Sequence, residues 1–209
     1  MNEQRKNPRT WQLLRLSGGR SVRLQAADRA FLTDLARVGI IDDLSASRFH
    51  YAHLKNGAAR SIARLEAAGL VTSSWVRVKG EKFLCWSFAS REIARAWGGV
   101  LPVTGARRSV FHELLVSRLY FELDRPDDFR IAASFSSSDV ALCGSMRPDA
   151  MCSNADGEVV FVEADSGHYT RTQIRAKMGR WQGFKQIWGQ PARASAPVLA
   201  SSDVAVIQI

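Results

Sequence analysis

The stretch R-P-D-A-M-C-S-N-A-D-G-E-V-V-F-V-E-A-D, Arg147 to Asp165, constrains this 209-residue chain more than any other. It reads as a β-hairpin. Met146 to Asn154 supplies one strand and Val159 to Asp165 the other. Asp156-Gly157 supplies the turn, because glycine accepts the positive φ of a tight connection. Side chains alternate along a strand. Val159, Phe161, Glu163 and Asp165 therefore share one face, and Val160, Val162 and Ala164 the other. A hairpin centred on Asp156 sets Asp149 opposite Glu163. Three carboxylates then converge at one end of an otherwise apolar strand pair.

Carboxylates packed that closely repel, and burying them is costly unless something neutralises them. A hard divalent cation with oxygen ligands is one remedy; arginine partners on a solvated hairpin are another. Asp156 and Glu158 sit at the turn and belong to the solvated class.

The charge is as uneven as the hairpin. Residues 1–100 carry 17 Lys and Arg against 8 Asp and Glu, whereas residues 101–209 carry 12 of each. The whole net charge of +9 thus lies in the first half. Such asymmetry points to a polyanion, nucleic acid before membrane. No run approaches the roughly 20 apolar residues of a membrane span, and the polar start M-N-E-Q-R-K-N-P-R-T lacks the apolar core of a signal peptide. Cys85, Cys143 and Cys152 are unclustered, which argues against a disulfide scaffold or zinc finger and for a reducing cytoplasm.

The first half opens with a basic arm, residues 1–23, holding Arg5, Lys6, Arg9, Arg15, Arg20 and Arg23, with a short strand or helical turn near Trp11–Leu16. Phe31, Leu35 and Val38 recur at near-helical spacing from Ala26 until Gly39. Ser45 is a candidate cap for a second helix reaching about His53. Ala58, Ile62, Leu65 and Ala68 stripe a third, closed by Gly69. A β-rich run with Trp75, Val76 and Val78, the turn Lys79-Gly80-Glu81-Lys82 and a return from Phe83 to Phe88 follow. Three helices and a two-stranded hairpin is the order of a winged helix. On it Lys55, Arg60, Ser61 and Arg64 are placed for the major groove of double-stranded DNA, with Arg77, Lys79 and Lys82 on the wing. Glu66 points away. A winged helix used for protein contacts has the same pattern. A helix over Ser90–Trp97 and the glycine-rich Gly98–Gly105 complete this half as a linker.

In the second half Val110 to Leu123 is an amphipathic helix, with His112 and Glu113 in its first turns. Glu113 reads either as a helix N-terminal acid or as a further acid of the site. Phe129–Ala133 and Val140–Cys143 read as strands. Thr170 caps a helix carrying Ile174, Met178, Trp181, Phe184 and Trp188, with Lys177 inside it. Gly189–Ser202 has loop composition. Asp203–Ile209 is a buried-type strand, and its last place suggests a minimal domain or a missing final helix.

Pro148-Asp149 followed by Glu163-x-Asp165 resembles the PD-(D/E)xK arrangement of restriction-endonuclease-like nucleases. R-P-D-A, then V-E-A-D, then a lysine one helix later is similar to the replication-relaxation family, which includes MobC-type plasmid relaxases. The resemblance implies an α/β (α+β) architecture: a basic arm and winged helix over 1–100, then a restriction-endonuclease-like domain with a central mixed sheet over 101–209. It implies Mg²⁺ or Mn²⁺ held by Asp149, Glu163 and Asp165, with Lys177 and Glu113 completing the catalytic set. The implied activity is metal-dependent nicking of one strand at a transfer origin. Its partners would be duplex DNA, the single strand released by nicking, and an accessory relaxosome or coupling protein. Two departures stand out. Asp165 occupies the place of the motif lysine, and Trp181 stands where the family commonly has a tyrosine. His50, His53, His112 and His168 form no H-x-H cluster of the kind other relaxases use. The attacker is either water or Tyr169. A winged-helix replication or transcription regulator with a non-catalytic second domain is the alternative.

Overall fold

The structure is a computed structural model that describes residues 12–15, 21–54, 57–78, 81–101, 110–144, 147–167, 169–190 and 203–209. It is a mixed α/β protein whose described residues form seven α-helices and sheets of mixed strand orientation.

The chain starts with a small antiparallel pair, β1 (Gln12–Arg15) and β2 (Ser21–Leu24). Helix α1 (Ala26–Val38) buries Phe31, Leu32 and Leu35, and stops where Gly39 turns left-handed at φ 79°. Next come β3 (Ile41–Asp42), α2 (Asp43–Phe49), α3 (Gly57–Ala67), β4 (Val71–Val78) and β5 (Glu81–Phe88). The three strands form an antiparallel sheet in the order β3-β5-β4. A short helix, α4 (Arg91–Ala96), is capped by Ser90. The second helix departs from expectation. Asp42, not Ser45, caps it, accepting from the Ser45 N–H at 2.8 Å. It ends at Phe49 instead of running to His53, because His50 and Tyr51 turn inward and bury.

The second half is one five-stranded sheet with helices around it. Its elements are α5 (Val110–Glu122), β6 (Arg130–Ile131), α6 (Ser137–Cys143), β7 (Ala150–Ser153), β8 (Val159–Ala164), α7 (Arg171–Arg180), β9 (Lys185–Gln190) and β10 (Val204–Gln208). The sheet order is β10-β9-β8-β7-β6. The β6–β7 and β7–β8 pairs are antiparallel, while β9 runs parallel to β8 and β10 parallel to β9.

Two expected elements change type. Val140–Cys143 is helical, because Ser136 and Asp139 form a reciprocal capping box that starts α6. Phe184 and Trp188 do not continue α7. Gly183, at φ 92°, follows its end, and the alternating burial of Gln186 and Trp188 belongs to β9. Gly189 and Gln190, expected as loop, complete that strand.

Helix α5 is buried on nearly every side instead of along one stripe. Leu114 packs with Ile40, Val76 and Cys85 of the first half. Leu115, Val116 and Leu119 join a core that runs from Phe31 to Val160, Val162 and Ala164 of β8. Contact with the sheet is close: a Cβ on Gly189 would fall 2.5 Å from Leu119 Cδ2. Both halves therefore share one core through α5. Polar ties cross the same seam. Tyr120 donates to Asp34 at 2.7 Å, Arg37 donates to the Pro126 carbonyl at 3.2 Å, and Arg118 Nε donates to Asp42 at 2.8 Å. Among the described residues no helix is long and apolar enough to cross a membrane.

Asp42 both caps α2 and pairs with Arg118, and it is 1% exposed. Asp42→Ala removes a cap and leaves a half-buried guanidinium unpaired, so urea denaturation should show a loss of roughly 3 kcal/mol. A loss under roughly 0.5 kcal/mol would contradict this role.

Candidate functional site

The β7–β8 register pairs Ala150 with Val162. One step further out, Asp149 lies opposite Glu163. Its N–H donates to the Val162 carbonyl at 3.0 Å, and its Oδ2 accepts from the Ala164 N–H at 3.0 Å. Both bonds fix the carboxylate at the strand end. Alternation along β8 sends Val160, Val162 and Ala164 toward α5. It sends Phe161 to the opposite face, against Trp181 at 5.3 Å and Phe184 at 4.5 Å. Glu163 follows Phe161 on that α7 side.

Helix α7 begins at Thr170, whose side chain accepts from the Gln173 N–H while Gln173 reaches back. That start places Lys177 inward, where Nζ donates to Glu163 Oε1. The ammonium also lies 5.3 Å from the Tyr169 ring centre and 5.2 Å from that of Trp181. Tyr169 donates its hydroxyl to the same Glu163 oxygen at 3.3 Å. From α5, His112 Nε2 meets Asp149 Oδ1 at 2.9 Å.

The site is buried. Asp149 is 5% exposed, Lys177 9% and Glu163 not at all. Glu163 Oε2 is buried with no hydrogen-bond partner among the described residues. Burial, and then the neighbouring Asp149 charge, push the Glu163 carboxyl up to about 8, against the opposing pull of Lys177. Burial also works against ionisation of Asp149, but the His112 hydrogen bond and charge outweigh it and hold that carboxyl below its ordinary value. The two acids therefore divide, one ionised and one inclined to keep a proton. Burial and the Glu163 charge raise the Tyr169 hydroxyl well above its usual range.

Asp165 is buried too, but its oxygens are engaged: Oδ1 accepts from the Gly167 N–H at 2.8 Å and Oδ2 from Gln190 Nε2 at 3.2 Å. The expected convergence of three carboxylates reduces to the facing pair Asp149 and Glu163. Among the described residues no group of three or more His, Cys, Asp and Glu side chains is arranged to hold a metal ion. Glu113 is buried in the first turn of α5, next to His112 in sequence. His112, open in the sequence between a capped or core histidine and a phosphate neighbour, is the partner of Asp149, and Gln190, expected in a loop, is the partner of Asp165. The alternation Gln186, Trp188, Gln190 was the available signal for a strand that would aim Gln190 inward.

On the first half, Arg60 is exposed and Ser61 half-buried on α3, Arg77 is exposed on β4, and Lys82 is exposed opposite it on β5. Lys55, Lys79 and the arm residues Arg5, Lys6, Arg9 and Arg20 lie outside the described residues. Arg64 is not free for a groove. It pairs with the buried Asp28 at 2.5 Å and donates to the Arg23 carbonyl, tying α3 to α1. Glu66 accepts from the Ser73 N–H and hydroxyl at 2.8 and 2.7 Å and ties α3 to β4.

Compared with known proteins, the chain matches no family model, no curated protein and no solved structure.

The Glu163 shift gives a signed pH dependence. A carboxyl held above its unfolded value of about 4.5 stabilises the fold fully below that value, and the contribution is lost as pH rises through about 8. Glu163→Gln stays neutral throughout. In thermal melts with chelator, the variant should lose less stability than wild type between about pH 5 and about pH 9. Parallel pH profiles would contradict the raised Glu163.

Proposed function

We propose that this chain is a divalent-metal-dependent DNA-nicking enzyme, a relaxase of the replication-relaxation type that cuts one strand at a plasmid transfer origin. The observation that carries the reading is the buried pair Asp149–Glu163, with one Glu163 oxygen that has no hydrogen-bond partner among the described residues, and a lysine delivered from α7. The element orders agree with it. Helix, strand, two helices and a hairpin, α1 to β5, is the order of a winged helix. A helix, three antiparallel strands with the short α6 between the first two, a helix and a parallel strand, α5 to β9, resembles the order of a restriction-endonuclease-like core.

Two facing carboxylates offer oxygens of the kind a hard cation takes, and Glu163 Oε2 has no hydrogen-bond partner among the described residues. Asp149 and Glu163 would hold Mg²⁺ or Mn²⁺, with Asp165 close by in sequence but bound to Gln190. Such an ion supplies polarisation of the scissile phosphate and a more acidic water. The chain's own groups do the rest. His112 orients Asp149 and favours its ionised form. Lys177 places a positive charge beside Glu163, where it offsets charge developing on a phosphate. Tyr169 is held as a hydrogen-bond donor to Glu163 with its proton tightly kept, which favours water as the attacker. Arg60, Ser61, Arg77 and Lys82 supply the face for duplex DNA.

The second reading is a DNA-binding regulator with a silent nuclease-like domain. The Lys177–Glu163 ion pair favours it, since an internal cation already answers part of the carboxylate repulsion. Titration calorimetry with Mn²⁺ separates the two. Binding should be present in the wild type and fall at least tenfold in Asp149→Ala and in Glu163→Ala. Equal Mn²⁺ binding in all three proteins, or none in the wild type, would favour the regulator.

A further inference from the structure

Trp75 is 66% exposed on β4. An indole carries a large flat apolar face suited to stacking. The register sets Trp75 opposite Leu84 and Arg77 opposite Lys82. Directly opposed residues, and residues two apart, share one face of a strand pair. These four side chains therefore form a single surface. Its inner end, Val71, Trp86 and Phe88, is packed into the core. The hairpin then outgrows the core, and the same face emerges as an indole, a half-buried leucine and two exposed cations. The opposite face is covered, with Val76 and Cys85 packed on Leu114.

Like charges directly opposite across a strand pair repel. Arg77 and Lys82 hold that arrangement in the half of the chain that carries all of the +9 net charge. We infer that this face is a stacking platform for an unpaired base of single-stranded DNA. The Trp75 indole takes the base face, and Arg77 and Lys82 take the flanking phosphates. An aromatic plane beside a positive track is what strand-binding proteins use, because every base has a π-face and every link a negative charge. Duplex DNA hides its base faces within the stack, and an apolar protein surface would leave the two cations opposed and desolvated. The choice of DNA as the polymer rests on the nicking reading, which produces such a strand.

The test uses the full-length protein and fluorescence anisotropy with a short labelled oligothymidylate and a mixed-sequence duplex. Trp75 is exposed, so Trp75→Ala should melt as the wild type does. Trp75→Ala should weaken oligothymidylate binding roughly tenfold or more and duplex binding less than about threefold, while Trp75→Phe retains most of the strand affinity. Equal oligothymidylate affinity in wild type and Trp75→Ala, or no strand binding by the wild type, overturns the platform. So does an equal loss on both DNAs. Failure of the nicking reading appears separately: a protein that binds the strand through Trp75 and yet binds no Mn²⁺ keeps the platform and loses the enzyme.

Discussion

Two buried carboxylates at one strand end set the terms for the second half of this protein. Asp149 and Glu163 cannot both ionise there cheaply. His112 comes from α5 to keep Asp149 charged, while burial and the Asp149 charge hold Glu163 toward its protonated form against the pull of Lys177 from α7. Each partner arrives on a helix packed against the sheet, so the electrostatics of the pair depend on the packing of both layers. Trp181, Phe161 and Trp188 fix α7 from below, and the close fit of Leu119 over Gly189 fixes α5. Gly189 accepts the Asp165 N–H through its carbonyl at 2.8 Å, and a side chain there would press on Leu119 of the helix that carries His112.

That same α5 joins the halves. Its Leu114 belongs to the cluster beneath the β4–β5 hairpin, while its next residues cover β8. The Arg118–Asp42 bond and the Tyr120–Asp34 bond add polar links across the seam. A DNA-contacting face on α3 and the hairpin would therefore be tied to the acid pair through one buried helix and not through a loose tether. This coupling suits an enzyme that must hold one phosphate of a recognised site over its acids.

Much of this was legible in the sequence, and the parts that were share a cause. Strand alternation placed Val160, Val162 and Ala164 opposite Phe161 and Glu163, and turn chemistry at Asp156-Gly157 fixed the register that faces Asp149 to Glu163. Thr170 announced α7. The rest was decided by local caps and breaks that outweigh the apolar pattern, and by long-range packing. Val140–Cys143 has strand-like apolar residues, but the Ser136–Asp139 box decides its conformation. Trp188 fits a helical spacing from Trp181, and Gly183 breaks it. Arg64 looks like its neighbour Arg60 in sequence; only the fold reveals Asp28 beside it. His112 and Gln190 are partners set by tertiary contact, and no spacing rule reaches across the intervening chain.

The central claim is that the Asp149–Glu163 site cuts one strand of a recognised duplex. The most direct test is agarose-gel analysis of supercoiled plasmid with Mg²⁺ or Mn²⁺, comparing a plasmid that carries the cognate transfer origin with one that lacks it. The account predicts open circles, not linear DNA, from the origin plasmid alone, with the product absent in chelator and in Asp149→Ala. Equal nicking of both plasmids, or an origin plasmid left supercoiled by wild-type protein that still binds it tightly, would contradict it.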